Sequence, residues 1–141
     1  MIIRKIRESF PDHSILAEES GEHDKDSNYL WVVDPLDGTT NFSFHNPIWA
    51  VSIGIFKDKE VVAGVVYSPV LDEIFVAVKN AGVTLNGEEI KISQIPPEKE
   101  IHTFCHGSDM KSLKIALKYY EHQKLHGFDC RQLGSAAMEF T

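Results

Sequence analysis

Three runs rich in β-branched and aromatic residues stand close together mid-chain: "IWAVSIGIF" (48–56), "EVVAGVVYS" (60–68) and "EIFVAVK" (73–79). Such side chains are stiff at χ1 and fit a pleated surface better than a helix. The links between them limit the fold more than the runs do. Only "KDK" joins the first to the second, and only "PVLD" the second to the third. Parallel neighbours need a crossover of a dozen residues or more, so these strands must return as antiparallel hairpins. "AGVTLNGEEIKIS" adds short strands around Asn86-Gly87, a dipeptide suited to a tight hairpin turn.

Helices flank this sheet. Ile2, Ile3, Ile6 and Phe10 have helical spacing, ended by Pro11-Asp12-His13. "SILAEE" then reads as a short strand, "SGEHDKDSN" as a charged loop, and "YLWVVD" as a buried strand that ends at Asp34. Pro96-Pro97 marks a boundary between an N-terminal α+β part, 1–96, and a C-terminal α/β part, 97–141. Beyond it, Ser108 or Asp109 caps a helix to about Glu121, with Leu113, Ala116, Leu117 and Tyr120 on one face. A strand is expected near Lys124 to Asp129, and "GSAAMEFT" opens a last helix. The expected fold is layered α+β, an antiparallel sheet with helices followed by the start of an α/β subdomain. No cap precedes the first helix and no stop signal ends the last, so both ends are expected to be cut.

The 141 residues carry a formal charge of −7 with no basic block, which disfavours nucleic acid as a partner. Cys105 and Cys130 form no CxxC and read as free thiols of a reducing compartment; Cys105 reads as a small buried hydrophobe. Residues 38–56 are uncharged, but Asn41, His45, Asn46, Pro47 and Ser52 argue against a membrane span. A cytoplasmic location is expected. His102 and His106, like His122 and His126, are four apart, but no cysteine or carboxylate stands at matching spacing, so zinc is not expected.

The densest chemistry is in "YLWVVDPLDGTTNF" (29–42). Pro35 pushes Asp34 towards an extended conformation, after which the chain must turn and bring Asp37 to the same side. Two carboxylates that close repel unless a cation sits between them. Magnesium, which takes oxygen ligands and keeps several waters, is the natural choice, with the Leu36 carbonyl as a further hard oxygen. Asp37 is also a good N-cap, and a helix starting there would aim free N–H groups at an anion, beside Gly38 and the hydroxyls of Thr39 and Thr40. DP-x-DG is by itself a good turn as well. A second acidic pair, Glu18-Glu19, precedes it; one of the two can share a site with Asp34, and spacing does not say which.

"ILAEES", "WVVDPLDGTTNF", "PIWAVSIGIF", "GVVYSP", "LNGEEIKIS" and "RQLGSAA" together resemble the inositol monophosphatase family of Mg²⁺-dependent sugar and polyol phosphatases, over almost the whole chain. The resemblance implies Glu18, Asp34, the Leu36 carbonyl and Asp37 as metal ligands, Asp34 being shared by two ions. It implies that Glu18 and Thr39 orient the attacking water. Leu36, Asp37, Gly38, Thr39, Gly134, Ser135 and Ala136 would contact the substrate, a small phosphate ester. Hydrolysis would then proceed by direct water attack in a two-metal site. Inositol monophosphate is the leading substrate, with fructose 1,6-bisphosphate, NADP and histidinol phosphate as alternatives, and a homodimer is expected of the full-length form. Family members are longer at both ends and carry a WD-x-AA motif that supplies another metal ligand. Trp31 and Trp49 are followed here by valine and alanine. Two rivals follow: a haloacid-dehalogenase phosphatase, whose DxDGT spacing is one residue shorter, and an impaired fragment that only binds divalent metal or anions.

Overall fold

The computed structural model describes residues 1–18, 21–23 and 25–141. Eight strands form one sheet in the order β2-β1-β3-β4-β5-β6-β7-β8. They are β1 (Ser14–Ala17), β2 (Gly21–His23), β3 (Tyr29–Asp37), β4 (Ala50–Lys57), β5 (Glu60–Ser68), β6 (Glu73–Val78), β7 (Gly82–Leu85) and β8 (Glu88–Ile90). β3 to β8 run antiparallel, as the short links require from β4 onwards. Asp58 and Lys59 both take positive φ, 50° and 68°, and so do Asn86 and Gly87, 50° and 86°. Both hairpins therefore use the turn whose twist matches that of its strands.

The sheet is mixed rather than wholly antiparallel, because β1 pairs parallel to β3. Part of the stretch read as a charged loop instead forms β2, a hairpin partner for β1 at the sheet edge. α1 (Ile2–Ser9) covers one face. Its Ile6 joins Ile15, Ala17 and Val33 in the buried core, with Ile2, Ile3, Trp31 and Ile53 packed around them. Each fully buried Ile or Val adds about 1.5–3 kcal/mol. At the end of α1, the Trp31 indole N–H donates to His13 Nδ1 at 3.0 Å, and His13 stacks on Tyr29 and Phe10.

After residue 97 comes a second, two-stranded sheet. β9 (Ile101–Thr103) and β10 (Asp129–Arg131) pair in parallel, with α3 (Met110–Leu125) as the crossover between them. Asp109 caps α3 by accepting from the N–H groups of Lys111 and Ser112 at 2.9 and 3.0 Å. α3 is a turn longer than its sequence pattern suggests and takes up residues assigned to a strand; that strand begins only at Asp129. Its apolar stripe is thinly covered: Ala116 is buried, whereas Leu117 and Tyr120 remain exposed. α4 (Ala136–Glu139) packs on β4 and β5, and its last carbonyl, that of Glu139, accepts from Thr103 Oγ1 at 3.0 Å. The parallel β1–β3 register ends at Ala17↔Val33, so Glu18 and Asp34 are next in line at the same sheet edge.

Candidate active site

The strand expected to end at Asp34 runs on to Asp37, and a bulge explains how. Asp34 lies opposite Ser52 and Asp37 opposite Ala50: three steps along β3 against two along β4. Directly opposed residues share a face, and residues two apart on a strand share one as well. The extra residue thus cancels the odd spacing and turns Asp34 and Asp37 to the same side. Val33, next to Asp34, belongs to the core beneath α1, so the two carboxylates occupy the other face. Pro35 has no N–H to give to a ladder, and a bulge is where a strand can accept it. Asp34 Oδ1 accepts from Leu36 N at 3.0 Å, closing the bulge on itself.

Gly38 follows with φ +88°, and α2 (Thr39–Ser43) begins after it. The expected N-cap was Asp37; the residue in that position is Gly38, with no side-chain cap bond. A Cβ on Gly38 would sit 3.1 Å from both Ile48 O and Ser135 Cβ and 3.3 Å from Gly134 O, so the left-handed turn and the close approach both select glycine. Thr39 is exposed, and its hydroxyl donates to the Leu36 carbonyl at 3.1 Å. Phe42 meets Trp49 edge-on at 5.1 Å, pinning α2 to the link before β4.

Asp37 instead reaches across the molecule. Its Oδ2 accepts from Ser135 Oγ in a short hydrogen bond and from Ala137 N at 2.9 Å. Hydrogen bonds to a charged acceptor are worth about 1.5–3 kcal/mol each. Ser135 is 1 % exposed, and its hydroxyl serves both Asp37 and the start of α4; with the exposed Gly134 and Ala136 beside it, it also lines the cavity next to Asp37.

Two residues that sequence reasoning did not single out complete this junction. Asn41 Nδ2 donates to Ile48 O at 2.6 Å and to Leu133 O at 2.7 Å. Glu139 Oε1 accepts from Leu133 N at 2.7 Å and Gly134 N at 3.1 Å. Gly134, at φ +82°, lies so near Asn41 that an added Cβ would be 3.1 Å from its amide. The only available signal was Asn41's place inside the motif.

A cavity of about 400 Å³ opens beside Asp37, lined among others by Thr40, Cys105, His106, Gln132 and Glu139. The Cys105 thiol is pushed up from its ordinary range, first by burial and then by the nearby Glu139 carboxylate, with Asp37 adding to the effect. A larger groove, about 700 Å³, lies over β4–β6 beside Phe140 and includes neither aspartate.

As a cation site, Asp34, Asp37 and the Leu36 carbonyl offer hard oxygens only. Each aspartate spends one oxygen on hydrogen bonds and has a second to offer. That donor set fits a hydrated, oxygen-seeking cation such as Mg²⁺. Glu18 is exposed at the turn after β1, and Glu19 lies outside the described residues. Among the described residues, no three His, Cys, Asp or Glu side chains converge closely enough to hold a metal.

Comparison with known proteins gives this geometry a lineage. Residues 1–141 match the inositol monophosphatase family. The chain is 37% identical over 138 residues to a fructose-1,6-bisphosphatase/inositol-1-monophosphatase of Thermotoga maritima, covering 98% of this chain and 52% of that protein. It is 35% identical to the Nus factor SuhB of Haemophilus influenzae, over 98% of this chain and 53% of the relative. The solved inositol monophosphatase of Anabaena superposes with a TM-score of 0.87 at 36% identity, over 98% of this chain and 56% of that one. The chain thus spans about half the length of these relatives.

Proposed function

The chain belongs to the inositol monophosphatase family, and from that premise we propose that it carries the cation- and phosphate-binding half of a Mg²⁺-dependent phosphate monoesterase. The observation that carries this reading is the β3 bulge, which sets Asp34 and Asp37 on one side of the sheet immediately before Gly38 and Thr39. Asp34, Leu36 O and Asp37 would hold the metal, with Glu18 brought in from the adjacent strand end. When bound, the cation would supply a more acidic water and charge neutralisation at the ester oxygens. Thr39, fixed by its bond to the Leu36 carbonyl, would orient the attacking water together with Glu18. Gly38 and the backbone of Gly134 to Ala136 would border the ester.

The substrate we favour is inositol monophosphate. The cavity beside Asp37 has Glu139 and Asp37 in its wall and, among the described residues, neither lysine nor arginine. A neutral polyol accepts such a wall, whereas the further phosphates of fructose 1,6-bisphosphate or NADP would meet carboxylates. The absence of a converged three-carboxylate group among the described residues favours the second reading, a divalent-metal or anion-binding domain with little catalysis.

A Mg²⁺ titration followed by thermal unfolding tests the common ground of both readings. Binding to the folded state alone stabilises by about 2.7 kcal/mol at a hundredfold excess over Kd, which is a rise of several degrees in Tm. The shift is expected in the native chain and strongly reduced in Asp34→Asn. No shift at millimolar Mg²⁺, or an equal shift in the variant, overturns the assignment.

A further inference from the structure

We propose that Asn41 and Ser135 are positioning residues for Asp37, so that cation binding at Asp37 and the docking of residues 133–137 onto the motif strengthen each other. The inference rests on Asp37 being a cation ligand, as above.

Asp37 faces two ways. Oδ2 is held by the Ser135 hydroxyl and the Ala137 N–H, leaving Oδ1 as the oxygen that can turn to a cation. A carboxylate held at one oxygen has already lost the rotamer freedom that a cation would otherwise have to freeze. Second partners of metal-ligating carboxylates typically change metal affinity by about 10–100-fold.

What holds Ser135 in place is not local. Asn41 gives both amide protons to backbone carbonyls, one on its own side of the junction at Ile48 and one across it at Leu133. Glu139 gathers the Leu133 and Gly134 N–H groups from the other side. Gly38 comes so near the Gly134 backbone and Ser135, and Gly134 so near the Asn41 side-chain amide, that an added Cβ at either glycine would make its neighbours give way. Segment 133–137 therefore docks as a unit, and Asp37 is both one of its anchor points and a candidate ligand. Any ligand that fixes Asp37 must then favour docking, and by linkage docking must raise the affinity for that ligand by the same factor.

The test measures Mg²⁺ affinity by calorimetry and backbone hydrogen exchange over residues 133–140, in the native chain, Ser135→Ala, Ser135→Thr and Asn41→Ala. Mg²⁺ is expected to slow exchange in the native segment. Ser135→Ala and Asn41→Ala should weaken Mg²⁺ by about tenfold and abolish the slowing, while Ser135→Thr, which keeps the hydroxyl, should restore both. A merely structural role would lower stability without this rescue of affinity. If Asn41→Ala does not fold, Ser135→Ala, which removes a single oxygen, carries the test alone. Native binding of Mg²⁺ with unchanged affinity in Ser135→Ala overturns the coupling and leaves the proposed function standing. No Mg²⁺ binding by the native chain overturns both.

Discussion

Cys105 sits where burial, a carboxylate neighbour and a second carboxylate all act in one direction. Each disfavours the thiolate, so its thiol stays protonated further into the alkaline range than an ordinary cysteine. Alkylation of Cys105 by iodoacetamide, followed by mass spectrometry from pH 7 to 10, should be slow at neutral pH and rise late. Glu139→Gln keeps an acceptor for Leu133 and Gly134 but removes the charge, so it should move the rise to lower pH. An unshifted profile would mean that Glu139 does not face the thiol. The same residue shows where sequence reading stops. Asp34 and Asp37 are legible because their meaning lies in their spacing and in Pro35. Asn41, Ser135 and Glu139 acquire theirs from partners far along the chain: Asn41 and Leu133 are 92 residues apart, Asp37 and Ser135 98. No local pattern encodes such a meeting.

At the scale of elements, the strands with short links were legible almost to the residue, since link length leaves no other topology for β4, β5 and β6. β3 was not, because proline normally ends a strand and only the register against β4 shows that it is absorbed in a bulge. β9, three residues long, leaves too little sequence for an alternation to register. α3 was found through its cap, and the cap makes a prediction. Hydrogen bonding from Ser112 first, and then from the Lys111 N–H, holds the Asp109 carboxyl below its usual range. Because the folded value is depressed, its stabilising effect is present above the unfolded value near 3.8 and lost as pH falls through the lower, folded one. The first turn of α3 should therefore loosen only in acid below pH ~3.8, seen as shifts of the Lys111 and Ser112 amide resonances. Asp109→Asn can still cap but cannot titrate, and should remove the acid response. An identical response in that variant would assign the titration to another group.

The molecule as a whole presents half of the length of its relatives and leaves much apolar surface in water. Phe140, at the end of α4, is 81% exposed, and the groove over β4–β6 beside it is apolar and about 700 Å³ in volume. The proposed cation site is sparse: two aspartates are on one side of the sheet, and among the described residues no three His, Cys, Asp or Glu side chains converge to hold a metal. Mg²⁺ surrenders its waters reluctantly to so few protein ligands, and a second ion would find fewer still. If hydrolysis divides its work between two cations, residues 1–141 alone should release phosphate from inositol monophosphate slowly or not at all. Joining to them the segments that the T. maritima relative has and this chain does not match should raise the rate by about 10²-fold or more, the scale on which one electrostatic stabiliser of a transition state matters. Phosphate release in Mg²⁺ at equal folded concentrations decides it. The rise should also vanish with Asp34→Asn in the joined protein, because on the two-cation reading the added segments would act through a cation that Asp34 shares. Comparable rates for the short and the joined chain would show that these 141 residues hold every group the reaction needs, and the division of labour between two cations would then have to be abandoned.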